Sequence, residues 1–224
     1  MTGAGHVDTT MFLMTHRAFE RDASRLADAL ARTPTDPDRV DALGRAWELF
    51  HDLLEHHHRA EDGVLWPALV EACPAASEVV DRMAEQHHQL DGVLTSAGDV
   101  VPAWVASTDD VDRRAALDAI GSIAALLADH LGDEESTAVP LIQRDLPLEG
   151  WAAFTGHNMQ LNAGIEWTIP WLAEGQPDEV RTAIWSLVPE PVRNGPATGW
   201  CDTYVTNLEL AFGAPAPAVH PPGH

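Results

Sequence analysis

Residues 56–67 read His56-His57-His58-Arg59-Ala60-Glu61-Asp62-Gly63-Val64-Leu65-Trp66-Pro67. His57 and Glu61 stand four positions apart, a spacing that stacks an imidazole over a carboxylate on one face of a helix. A ring nitrogen beside a carboxylate oxygen suits iron, manganese or zinc. One such pair is commonplace, but the spacing recurs at His130 and Glu134 in Ala128-Asp129-His130-Leu131-Gly132-Asp133-Glu134-Glu135, and a proline follows each pair, Pro67 and Pro140.

Reading outward from these pairs, the apolar residues define four helical seams. A first helix from Thr9 to Arg32 carries Phe12, Phe19, Ala23, Leu26 and Leu30, with His16 filling the gap. Thr33-Pro34-Thr35-Asp36-Pro37 breaks the chain, and Asp36-Pro37 supplies an N-cap and a first helical residue. The second helix places Val40, Leu43, Trp47, Phe50, Leu54, His57 and Glu61 on one seam, and Pro67 kinks or ends it before a last turn reaching Ala72. The third starts near Ser77 with Val80, Met83, His87, Leu90, Leu94 and Ala97, and Pro102 with the stretch Ser107-Thr108-Asp109-Asp110 marks its end. The fourth starts at Asp109 or Asp110 with Ala116, Ile120, Ile123, Leu127, His130 and Glu134, and Pro140 interrupts it. Four long helices with short connections predict an all-α, antiparallel up-down four-helix bundle. Each seam contains a histidine. At a rise of about 1.5 Å per residue, the four histidines fall at one depth to within about 6 Å. Two acids share that level, and a buried carboxylate without a counter-charge is costly. A bound cation removes the cost.

The remaining histidines and methionines read differently. His51, His56 and His58 are assigned to the surface or to supporting contacts, His88 sits one step off its seam, and Met11 and Met14 pack the core. Met159 and His157 lie beyond the bundle, and His220 and His224 lie in the tail.

Composition narrows the class. The 224 residues carry a net charge of −22 at pH 7, and every basic residue is Arg. Nucleic acid and anionic membrane surfaces both call for a basic face, so neither is expected as a partner. No uninterrupted apolar run reaches the roughly 20 residues of a membrane span. The start lacks the basic and apolar stretches of a signal peptide, so a cytoplasmic protein is expected. Cys73 and Cys201 form no C-x-x-C motif and read as free thiols. Residues 1–148 are read as the bundle, with residues 1–8 a frayed start. Residues 149–213 are read as a helical C-terminal extension packed on the bundle through Trp151, Trp167, Trp171, Trp185 and Trp200. Residues 214–224, Ala-Pro-Ala-Pro-Ala-Val-His-Pro-Pro-Gly-His, are read as a disordered tail.

With these residues in place the sequence resembles the hemerythrin-like (HHE) family of cation-binding bundles. The resemblance spans roughly residues 8–146 and is carried by four segments: MTHRAF around His16, HHRAEDGVLWP from His57, MAEQHHQLD around His87 and HLGDEESTAVPL from His130. The remainder is similar to an extension found on some actinobacterial members. The resemblance implies two iron ions, oxo- or hydroxo-bridged and carboxylate-bridged, ahead of manganese or zinc. It implies His16, His57, His87 and His130 as terminal ligands and Glu61 and Glu134 as bridges. Oxygen-carrying members have a second histidine where this chain has Asp91, and their last carboxylate where it has Glu135, so both join the candidate ligands. One histidine fewer implies an open or water-filled position and reaction with O2, peroxide or nitric oxide. The activities that follow are binding of a small oxidant, oxidoreductase turnover of peroxide or O2, or an iron- or redox-responsive regulator, in a chain taken as a monomer.

Overall fold

The computed structural model describes residues 6–161, 164–213 and 215–222, so residues 1–5 and 223–224, with His224, and the side chain of Met159 lie outside the described residues. All regular structure among the described residues is helical. The helices are α1 (Thr10–Ala31), α2 (Pro37–Ala60), α3 (Trp66–Ala72), α4 (Ser77–Ser107), α5 (Asp110–Asp145), α6 (Leu148–Leu161), α7 (Ile165–Ala173), α8 (Asp178–Ser186), α9 (Glu190–Arg193) and α10 (Ala197–Phe212).

The caps follow the sequence. Asp36 accepts from the Arg39 N–H at 3.1 Å with Pro37 in the first helical position, and Asp109 accepts from the N–H groups of Val111 at 2.7 Å and Asp112 at 2.9 Å. These bonds satisfy donors that a helix start otherwise leaves open.

Two buried apolar clusters lie on either side of a polar layer. On α1 the order is Phe12, His16, Phe19; on α4 it is Met83, His87, Leu90. Along α2 and the turn that continues it to Leu65 it runs Leu54, His57, Glu61, Leu65, and on α5 Leu127, His130, Glu134, Ala138. Phe12, Met83, Leu65 and Ala138 share one cluster; Phe19, Leu90, Leu54 and Leu127 share the other. The two clusters are met in opposite order along successive helices, so α1, α2, α4 and α5 alternate in direction. Helix α2 packs between α1 and α4, and α5 closes the ring between them. Helix α5 is long and apolar enough to cross a membrane by composition, but Ile120, Ile123, Leu127, Ala138 and Ile142 are turned into the bundle.

Prolines act differently from expectation in two helices. Of the two end signals Pro102 does not stop α4, which runs on to Ser107 and ends in the Ser107–Asp110 stretch. A proline inside a helix costs about 3 kcal/mol, and burial of Val101 and Trp104, at 2% and 1% exposure, offsets it. The helix ends instead at Thr108, whose φ of 57° is left-handed and whose N–H reaches the Trp104 carbonyl at 2.7 Å. Pro140 is likewise carried inside α5, between buried Val139 and Ile142. Between α2 and α3, Glu61–Leu65 form one π-helical turn, in which the Trp66 N–H reaches back to the Glu61 carbonyl. Pro67, with no N–H of its own, follows directly.

The C-terminal helices pack against the bundle. Trp171 Nε1 donates to Asp22 of α1 at 2.7 Å, and its ring lies 5.1 Å from Phe19. Glu174, 3% exposed, accepts from Arg25 at 2.5 Å and from the Tyr204 hydroxyl at 2.8 Å, and stands 3.2 Å from the Arg21 guanidinium. Trp185 is buried, whereas Trp151, Trp167 and Trp200 are only partly so. The tail read as disordered packs where it is described. Val219 is fully buried, its carbonyl accepts from Trp185 Nε1 at 2.8 Å, and the Ala218 carbonyl accepts from Gly175 N–H at 3.0 Å. The His220 carbonyl accepts from Arg181 Nε at 3.1 Å, so residues 218–220 are held by three hydrogen bonds around the buried valine.

Candidate metal centre

The polar layer resolves into two groups of donor atoms, each lying within 4.8 Å of one another: His16, His57, Glu61 and Glu134, and His58, His87 and His130. All seven side chains are at most 2% exposed.

The carboxylates span both groups. Glu61 places Oε1 3.0 Å from His57 Nε2 and Oε2 3.3 Å from His87 Nε2. Glu134 Oε2 lies 3.3 Å from His16 Nε2 and 3.8 Å from His130 Nε2. Close as they are, the contacts of Glu61 with His57 and of Glu134 with His16 are not aligned as hydrogen bonds. Nine of the eleven buried side-chain polar atoms that lack a hydrogen-bond partner among the described residues belong to these seven side chains. Both oxygens of both glutamates are among them. Orphaned buried acceptors cost stability unless something outside the side-chain set satisfies them. Nitrogen and carboxylate oxygen are donors that divalent transition metals accept, so the residues fit a metal.

Three of the histidines are held from outside. His16 Nδ1 faces Glu135 Oε1 at 3.1 Å, His87 Nδ1 faces Asp62 Oδ1 at 2.8 Å, and His130 Nδ1 faces Gln86 Oε1 at 3.1 Å. A proton on each Nδ1 donates to its oxygen acceptor, which leaves Nε2 as the ligating atom and fixes the ring plane. His87 Nε2 and His130 Nε2 meet at 3.2 Å, a separation at which both lone pairs need either a shared proton or a cation.

The electrostatics carry the same tension. Burial drives the Glu134 carboxyl well above its usual range, and the neighbouring Glu61 charge adds to the shift. Burial opposes ionisation of Glu61 too, but the adjacent His57 and His87 outweigh it and hold Glu61 well below that range. Burial lowers His130 to about 3, with the His87 charge adding to the effect. Burial would lower His87 as well, but the contacts with Asp62 and Glu61 prevail and raise it to about 9. Without a metal, His87 therefore holds a proton where a metal would sit.

Of the sequence candidates, the structure brings His16, His57, Glu61, His87, His130 and Glu134 together. Glu135 and Asp91 join neither group. Glu135 follows Glu134 by about 100° of helix rotation and turns to α1, where it holds His16 and Arg17, the latter at 2.6 Å. Asp91 is exposed, because the inward position after His87 is Leu90.

The place beside His87 is taken by His58, which the sequence reading had assigned to the surface or to a supporting contact. Its ring stacks on His87 at 4.2 Å and 18°. A sequence signal was present. Helix α2 faces both α1 and α4, so adjacent histidines about 100° apart serve one neighbour each: His57 meets His16 at 5.3 Å, and His58 meets His87. Gln86, the support for His130, carries no such signal.

Comparison with curated proteins and with solved structures gave no match. Residues 7–142 match the family model described as the hemerythrin HHE cation-binding domain. That match takes in all four bundle helices up to Ile142, including every side chain of both donor groups, and the chain belongs to the hemerythrin HHE cation-binding family.

Proposed function

We propose that the centre holds two iron ions and that the protein binds, or reacts with, O2 or a related small oxidant such as peroxide or nitric oxide. The observation that carries this reading is the reach of Glu61 and Glu134 across both donor groups, which is what two cations sharing two carboxylates require. His16 and His57 would serve one ion, His58, His87 and His130 the other. Bound there, a pair of irons supplies electrons to an oxidant.

The protein's part is positional. Glu135, Asp62 and Gln86 orient three imidazoles, and the apolar clusters above and below exclude bulk water. The two groups are unequal, three imidazoles against two, and this asymmetry supports an open coordination position on the His16–His57 side. It also favours turnover of peroxide as a second reading.

The test is metal analysis and an optical spectrum of protein purified in air, followed by cycles of oxygen and its removal. Two irons per chain with a reversible, stoichiometric absorbance change support oxidant binding. Catalytic loss of added peroxide supports the enzyme reading. One zinc per chain, or no metal, rejects both.

A further inference from the structure

A cavity of about 350 Å³ lies between α1 and α2 of the bundle and α6 and α7 of the extension. Phe12, Phe19, Trp151, Phe154 and Trp171 form its walls, and His57 lines it. Ile165 and Leu187, two of the five exposed large apolar side chains among the described residues, also line it. A void of about 150 Å³ with apolar walls accepts benzene, so this one has room for two fused rings.

Its polar lining is His57 with Asp8, Thr15, Thr155, Asn158 and Thr168, and none of these is a cation apart from a protonated histidine. His57 is 2% exposed, and its Nε2 faces Glu61. Where Nδ1 of His16, His87 and His130 each has an oxygen acceptor, His57 Nδ1, like His58 Nδ1, has no partner among the described residues, and of these two rings only His57 lines the cavity. With Nε2 given to a metal, Nδ1 carries a proton that needs an acceptor, and the described residues supply none. The Thr155 and Thr168 hydroxyls are engaged with the Trp151 and Gly164 carbonyls.

We propose that this cavity is a binding site for an uncharged one- or two-ring organic molecule carrying one oxygen acceptor, such as a phenol or cyclic ketone, seated against His57. The aromatic walls offer edge and face contacts to a ring, and a buried anion there would lack a cationic partner. The site joins the extension to the metal layer and gives the lining residues of α6 and α7, Trp151 to Asn158 and Ile165 to Leu172, a role in selecting what reaches it. The tautomer of His57 rests on the metal reading above; the cavity and its walls do not.

Isothermal titration of the full chain, with its metal content measured first, tests this with 2-naphthol and 2-naphthalenesulfonate as probes. The proposal predicts saturable one-to-one binding of 2-naphthol, at least tenfold tighter than the sulfonate. It predicts at least tenfold weakening in Thr168→Phe or in Thr155→Trp, which fill the void from two different helices, with metal content unchanged. No saturable binding up to the probe's solubility, or binding that neither folded variant alters, overturns it. A protein that holds no metal yet binds 2-naphthol in this way would reject the di-iron reading and leave the cavity assignment standing.

Discussion

Among single residues, His58 and His87 carry the sharpest consequences. His58 is a donor of the second group rather than a surface or supporting histidine, so His58→Ala should lower metal affinity at least tenfold, while His56→Ala should leave it within about twofold; competition with a chromogenic chelator measures both. Glu135→Gln keeps every ligand and removes the charge that holds His16, so two metals should still bind, about 10- to 100-fold more weakly. Asp91→Asn should do nothing to either number. For pH the sign follows from His87. In the metal-free protein burial lowers its pKa, but Asp62 and Glu61 prevail and raise it to about 9. A metal needs the Nε2 lone pair, so binding expels a proton at any pH below that value. Apparent affinity should therefore rise at least tenfold per unit from about pH 7, more steeply wherever the raised Glu134 carboxyl also gives up its proton, and the His87 part should end above about pH 9; Asp62→Asn should flatten that part. At this scale the sequence showed His16, His57, His87, His130 and both glutamates through their seams. It hid His58 because a single a/d seam describes a helix with one neighbour, and α2 has two.

At the level of the helix, the π turn Glu61–Leu65 is the informative irregularity. Its extra residue sets the phase between Glu61, turned to the metal layer, and Leu65 and Trp66, turned to the lower apolar cluster. Deleting Gly63, beside whose Cα there is open space, should restore ordinary helix pitch and rotate one set of residues against the other by about 100°. Metal stoichiometry should fall while helical circular dichroism stays near its original value. The end of α4 gives a second prediction. Thr108 is exposed with a φ of 57°, a conformation glycine adopts without cost. Thr108→Gly should stabilise the protein by about 1 kcal/mol, read from denaturant unfolding. The helices themselves were legible through periodicity and caps, as Asp36 and Asp109 show. Pro102 misled because the sequence displays the lost hydrogen bond and hides the tertiary burial of Val101 and Trp104 that offsets it.

Across the whole molecule, the bundle and the C-terminal helices are joined by buried charge. Glu174 balances Arg21 and Arg25 and accepts from Tyr204. Glu174→Ala leaves those arginines without their carboxylate in a largely buried place and should cost about 3 kcal/mol; protease cleavage within residues 164–213 should accelerate before the bundle is attacked. The extension's helices were readable as helices, but its docking was not, since Asp22, Glu174 and Trp171 are far apart in the chain. The tail misled for a related reason: its composition is that of a disordered segment, and the burial of Val219 depends on a surface that only the folded chain provides. The layered core is the feature from which the rest follows, two apolar clusters parted by seven buried side chains with nine polar atoms that have no partner among the described residues. Anomalous diffraction at the iron edge, from crystals of protein reconstituted with ferrous iron, measures what lies in that layer. The account predicts two peaks per chain, one beside His16 and His57 and one among His58, His87 and His130, both flanked by Glu61 and Glu134. A single peak, or none in that layer, would contradict it.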